Sequence, residues 1–472
     1  MLFCLYISNL ASAQDSSGYN PYVQDTSAFQ SVGMVDTVKH IYTDDSLKKI
    51  TPVVDKKKLA EQKAEQSEKD KIWIKQQMTA LTMRNMRGRG YVKGGMDSAA
   101  LFVLKRFKEL RLKPLLKNGN YAQGFAYPVI SFPKKINLVV NGDSLKPGVD
   151  FLVEPSSQPI VGKDLKGQVV DLNEVKDRDV WKKLVAGIDS SHAYYLLHTD
   201  SFCKNVLHIS FDLFISLLPH GVYLVPREGR LQWNVARDTI GATIFYVHES
   251  ALPRTIKYVN ISLPAQFNHK FRTQNIIGYV PGQVADSYVI FTAHYDHLGM
   301  MGDTTIFPGG NEGASGLAEL FYMASSLIKK KPHYSIVFIA FSGEEAGLMG
   351  SELYVKYPAV PLKKTKMVVN LNLLGDASLG FSVINGLDRP NEFALLQQIN
   401  DREKYVPKLR AKGPASNGSH YHFAKSGVPS FFIYGNGTTG YYKDIYDKTR
   451  GLPAAYLDGL GKLLIDFADA LR

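Results

Sequence analysis

The sequence predicts an α/β protein: a mixed sheet between layers of helix, interrupted by a β-rich insertion. Three observations predict it. From Phe271 onward, short apolar runs alternate with helical patterns, as in a sheet covered by helices on both faces. Between about Lys134 and Asn268 the texture changes to short β-like runs broken by turn pairs, Asn141-Gly142 and Pro147-Gly148. Polar residues able to do chemistry follow the apolar runs directly, where open α/β sheets bind ligands.

At 472 residues the chain is long enough for two or three domains. It begins MLFCLYISNLASAQ, a short apolar segment ending in Ala11-Ser12-Ala13, the small-residue pattern of a cleaved secretory signal. The expected organisation is a signal peptide over 1–13 and a polar flexible lead-in over 14–70. An N-terminal helical part over 71–133, the insertion over 134–268 and the main α/β part over 269–472 follow. Such a chain is secreted or periplasmic. Losing the signal removes Cys4 and leaves Cys203 without an internal partner. No run approaches the ~20 apolar residues of a transmembrane helix, so no transmembrane segment is expected.

Within the lead-in, "DKKKLAEQKAEQSEKDK" (55–71) interleaves Lys with Glu and reads as a solvated helix or linker. The net charge of +12 admits an acidic partner. "RGRG" at Arg87–Gly90 occurs once, so nucleic acid is not expected as a partner. The next segment, "DSAALFVLKRFKELRL" (97–112), has apolar residues at helical spacing. The strand candidates are "NIIGYV", "YVIFTAH", "SIVFIAF", "MVVNLNLL" and "SFFIYG". Between the second and third, Ser315–Lys330 places Leu317, Leu320, Phe321, Ala324, Leu327 and Ile328 on one helical face. A last amphipathic helix runs from about Pro453 to Leu471.

"YVIFTAH" delivers His294, then Asp296 and His297, and "FPGGNEGASG" delivers Glu312 before a helix. "SIVFIAF" leads to Glu344 and Glu345, read as opening a helix. "MVVNLNLL" brings Asn372, and "SFFIYG" leads through a Gly-rich loop to Tyr442 and Lys443. In His-x-Asp, the imidazole can bind a metal through one nitrogen while a carboxylate holds the other N–H. Two adjacent acids can divide labour, one coordinating a metal and one taking a proton from bound water. Either pattern alone is common in purely structural roles. Both at strand ends of one sheet are far more specific.

In order and spacing, "AHYDHLG", "PGGNEGASG", "FSGEEAGLMGS", "NLNLLG" and "HYHFAKSGVPSFF" resemble the secreted di-zinc aminopeptidases. That group includes bacterial leucyl aminopeptidases, glutamate carboxypeptidases and the transferrin receptor ectodomain. The resemblance implies a three-layer α/β/α Zn-peptidase fold and a protease-associated-like insertion. It also implies roles: metal-ligand positions at His294, Glu312, Glu345, Asn372 and Lys443, Glu344 as general base, Tyr442 as oxyanion stabiliser, and Asp296 supporting the histidine.

Three of these positions depart from the family. Its bridging Asp is Glu312 here, its terminal Asp is Asn372, and its C-terminal His is Lys443; its "SDH" has become "GSH" (418–420). Glu312 keeps the charge. Asn372 keeps only a carbonyl oxygen, a weak ligand. Lys443 could bind a metal only when deprotonated, at a cost of roughly 4–5 kcal/mol at pH 7, and neighbouring carboxylates increase that cost. The Asn and Lys changes add two positive charges, equal to one zinc ion. A Lys443 ammonium is therefore expected near Glu312 and Glu345, where the second ion would sit.

Two readings follow. One is a pseudo-peptidase that binds a peptide or protein ligand in its cleft, with zero or one zinc rather than two. The other is an active aminopeptidase with one zinc, or an unusual pair, and Glu344 as base. His297, His420, His422 and Asp376 are read as structural.

Overall fold

The computed structural model describes residues 56–328 and 330–471. The expected signal peptide, Cys4 and most of the lead-in lie outside the described residues. Within the span assigned to the lead-in, helix α1 (Lys56–Leu81) starts well before residue 70. Charged pairs one turn apart, such as Lys69 to Glu65 at 2.7 Å, support a helix that packing does not need to hold. Only its last turns are buried, through Ile74, Met78 and Leu81.

Helix α2 (Gly95–Glu109) buries Ala99, Val103 and Phe107, the stripe expected from its spacing. Strand β1 (Ala122–Ser131) then leads into the insertion. Between Asn137 and Leu263 the chain builds a separate eight-stranded sheet that mixes parallel and antiparallel pairs. Helices on this sheet bury Phe202, Phe214 and Leu218. Cys203 is buried in the same cluster as a free thiol.

The main sheet resumes with β2 (Gln266–Val280) and β3 (Val284–His294), followed by helix α3 (Ala314–Leu327) and β4 (Tyr334–Phe341). It continues through α4 (Met349–Lys356), β5 (Thr365–Leu371), β6 (Phe381–Ile384), α5 (Pro390–Glu403) and β7 (Leu409–Ala411). The last elements are α6 (His420–Lys425), β8 (Ser430–Gly435) and α7 (Leu457–Ala470). The strand order is β2-β4-β3-β5-β8-β6-β7, with β1 and the short Lys113–Pro114 strand pairing with β2. Strands β4, β3, β5 and β8 run parallel, and antiparallel pairs flank them at β2/β4 and β6/β8.

A parallel core must be covered on both faces, because its strands are apolar on both sides. Every residue of β4 is buried. One face packs under α2, α3, α5 and α7, through Phe107, Leu317, Leu396 and Leu464. The other packs Tyr354 and Phe423 of α4 and α6 against Ile290, Val337 and Val368. Gly316 is needed for the close fit of α3, since a Cβ there would lie 2.2 Å from the Leu371 carbonyl oxygen. No helix among the described residues is long and apolar enough to cross a membrane.

Candidate active site

The four parallel strands point their carboxyl ends the same way, so the residues just after them converge. His294 is the last residue of β3 and stands level with Phe341, the last of β4. Its Nδ1 lies 2.9 Å from the backbone carbonyl of Asp296. A carbonyl can only accept, so Nδ1 carries a proton, and Nε2 is the nitrogen that has a lone pair once the ring is neutral. Burial opposes the ring's charge, but Asp296 and Glu344 outweigh it and push the pKa up to about 10. That Nε2 is buried and has no partner among the described residues.

The carboxylate of Asp296 does not hold the imidazole directly, as the His-x-Asp reading expected: its Oδ1 is 3.6 Å from Nδ1. It is occupied by the acidic turn instead, accepting the Glu344 N–H and the Glu345 N–H, each at 3.1 Å. The Tyr91 hydroxyl donates to it as well, at 2.8 Å. Asp296 thus fixes the acid pair relative to His294. The pair does not open a helix, because α4 begins only at Met349. A Ser-Gly turn with Gly343 at φ +72° bends the chain first.

The two acids have different surroundings. Glu344 accepts the Ser419 N–H at 3.1 Å and the Ser419 hydroxyl at close range. Burial raises its pKa, opposed by His294 and Ser419. Glu345 accepts from His297 Nδ1 at 3.0 Å and pairs with Lys443 Nζ at 2.9 Å. Burial works against its charge, but Lys443 and His297 prevail and hold it well below the usual carboxylate range. Burial likewise opposes the Lys443 charge, and Glu345 and Glu312 overcome it and push its pKa up. Lys443 bonds Glu345 rather than Glu312, and Asn234 Oδ1 of the insertion is its other acceptor, at 3.0 Å.

Glu312 sits ahead of α3, its N–H bonded to Asp447 at 3.0 Å and its carbonyl to the Arg89 guanidinium at 3.0 Å. Its Oε2 is buried and has no partner among the described residues. Burial and the Glu345 charge raise its pKa well above normal. Arg89, wholly buried, donates to the carbonyls of Leu81, Tyr295, Pro308, Gly309 and Glu312, and so ties the His294 loop to the Glu312 loop. Asn372 turns its Oδ1 to the N–H groups of Gly313, at 2.8 Å, and Leu373, at 2.9 Å. Tyr442 is exposed, and its ring centroid lies 5.6 Å from Lys443 Nζ. Burial and Glu312 raise its phenol pKa.

These residues do not fit two zinc ions. The only oxygen Asn372 could offer already accepts two backbone N–H groups, and where the resemblance implies a C-terminal ligand an ammonium stands 2.9 Å from Glu345. A single cation finds a closer match: His297, Glu312 and Glu345 each offer a donor atom within 4.8 Å of the others. His297, read from sequence as structural, is thereby brought into the site. Ser419 and Asn234 are further site residues that the sequence reading missed. The "GSH" variation marked the first; nothing marked Asn234, which lies 209 positions from Lys443. Asp376 serves the loop itself, accepting from the Thr438 and Thr439 N–H groups at 2.9 Å.

Residues 275–468 match the model of Peptidase family M28. Aminopeptidase YwaD of Bacillus subtilis (strain 168) is 30% identical over 173 residues, 35% of this chain and 37% of that protein. An aminopeptidase of Pseudomonas aeruginosa is 28% identical over 175 residues, 35% of this chain and 30% of that one. The chain therefore spans less than half the length of these curated relatives. The solved structure of BSAP, a zinc aminopeptidase from Bacillus subtilis, superposes with a TM-score of 0.61 at 16% identity, covering 84% of this chain and 94% of that one. At that identity the likeness is one of fold.

Proposed function

We propose that this chain, which carries a peptidase family M28 domain over residues 275–468, is a secreted pseudo-peptidase whose cleft binds a peptide or protein ligand. The observation that carries the reading is the Lys443 ammonium, 2.9 Å from Glu345, where the family places a metal-binding histidine. The ammonium supplies the positive charge that the buried acids require, and a divalent ion beside it would be repelled. The backbone at this position is held in place: Lys443 adopts a left-handed conformation (φ 53°), and its carbonyl accepts the Trp233 N–H at 2.9 Å. With Asn372 committed to backbone donors, two of five ligand positions cannot serve zinc. The insertion, read as protease-associated-like, would act as a wall of the cleft through Trp233 and Asn234.

A second reading, a hydrolase with one zinc, is favoured by the unpartnered His294 Nε2 and Glu312 Oε2 and by the grouping of His297, Glu312 and Glu345. In it zinc would act as Lewis acid, and this chain's part would be to hold a proton at Glu344, positioned by Ser419. Hydrolysis of leucyl and other aminoacyl chromogenic substrates in zinc-containing buffer, by the wild type and by Glu344→Gln, separates the two. The pseudo-peptidase account expects no turnover above background from either. Wild-type turnover abolished by Glu344→Gln would establish the hydrolase. Mass analysis of the mature chain tests secretion, with cleavage after Ala13 as the expected result.

A further inference from the structure

A second feature lies outside the cleft and does not depend on how Lys443 is read. The segment between α1 and α2, which contains "RGRG", faces the start of β2 across a groove of about 1020 Å³. The groove runs on into a second of about 610 Å³, the two sharing Val92, Lys93, Pro133 and Gln266. Six cations line them: Arg84, Arg87, Lys93, Lys134, Lys270 and Arg272. Their lining carboxylates are Asp97 and Asp303. All six cations are exposed, and none makes an ion pair among the described residues, whereas half-buried cations such as Arg106 and Lys462 are paired with Glu109 and Asp458. Arg87 is turned to the Lys93 carbonyl at 2.9 Å, which holds the wall in place without neutralising it.

The bland account of such charges is protection of a strand edge. Among the described residues β2 pairs with β1 alone from Gln266 to Gln274, and β4 joins only at Ile276. The Gln274 carbonyl takes the Tyr295 hydroxyl, which leaves the edge open over Gln266–Arg272. Lysines on an edge do discourage unwanted pairing. Yet only Lys270 and Arg272 belong to β2. The other four come from the opposite wall or from beyond β1, so they frame a channel rather than guard one strand. The floor is aromatic, with Tyr91 and Phe271 5.4 Å apart and Phe267 exposed beside His269. Uncompensated cations above an apolar floor, beside an edge with unpaired backbone, suit a chain that brings carboxylates, apolar side chains and its own backbone donors and acceptors.

We propose that this groove binds an extended acidic peptide segment of a partner protein. The free strand edge favours a peptide over a sulfated sugar polymer, which has no backbone to pair. The test is fluorescence anisotropy of a labelled twelve-residue peptide alternating Glu and Val, titrated with the full chain. The peptide should bind, weaken several-fold between low and physiological salt, and weaken at least about tenfold with Lys93→Glu/Arg272→Glu. A Gln-Val peptide of the same length should not bind. Both substituted side chains are exposed, and an unchanged circular dichroism spectrum would establish that the variant folds. Absence of binding, binding unaltered in the variant, or binding of a heparin oligosaccharide with none of the peptide would overturn the proposal.

Discussion

The two halves of the cleft have been treated differently. On the Lys443 side the charges are paired: Glu345 takes His297 and Lys443, and Lys443 takes Asn234 as well, with His297 Nε2 left over. On the His294 side, His294 Nε2 and Glu312 Oε2 are buried with nothing to bond. Buried polar atoms are nearly always paired, so orphans of this kind mark a place where something else belongs. On the proposed reading, the difference teaches that a metal site need not decay uniformly. An internal cation can fill one position while the donors of the other persist.

The largest effect expected from this contrast is on the saturated side. Glu345→Gln leaves the Lys443 ammonium, with little exposure, facing a neutral partner and should destabilise the protein by about 3–5 kcal/mol. Chemical denaturation would measure it. Adding Lys443→Met should recover most of the loss, and a double variant as unstable as the single one would break the comparison.

Acid sensitivity comes next. Burial lowers His420 to about 4, from about 6.5 in an unfolded chain. The native state therefore binds fewer protons than the unfolded state between those values. Stability from this group is fully present above about pH 6.5 and is lost as pH falls towards 4, by about 3 kcal/mol. His420 stacks on Phe432 with centroids 5.3 Å apart, so His420→Phe should keep the packing and flatten that part of the pH profile. An unchanged slope would assign acid lability elsewhere. The smallest effect belongs to Ser419→Ala, which removes one hydroxyl donor from Glu344 but leaves the backbone donor in place. It should cost about 1.5 kcal/mol, and a neutral result would mean that Glu344 does not depend on Ser419.

Much of the fold was legible because apolar periodicity is a local signal. The runs "YVIFTAH", "SIVFIAF" and "SFFIYG" are β3, β4 and β8, and the helices expected at 97–112, 315–330 and 453–471 appear within a few residues as α2, α3 and α7. The strand-end rule then placed His294, the acid pair and Asn372 at one edge, since parallel strands share a direction. What was not legible depends on distance or on competition for hydrogen bonds. Nothing local says that Asp296 would give its carboxylate to the Glu344 and Glu345 amides and its carbonyl to His294. Nor does it say that Asn234, from another sheet, would help hold Lys443. The acid pair itself was misplaced on a helix because Glu is a good helix former, whereas the Gly343 turn and the Asp296 anchor delay the helix to Met349.

The central claim is that an ammonium has replaced a metal ion beside Glu345. Elemental analysis of zinc per chain, after equilibration with modest zinc and removal of the excess, tests it most directly. The account predicts at most one ion, held by the unpartnered donors of His294, His297 and Glu312 and lost in His294→Ala. Two tightly held ions per chain would contradict it, because the Lys443 ammonium and a second zinc cannot share one position.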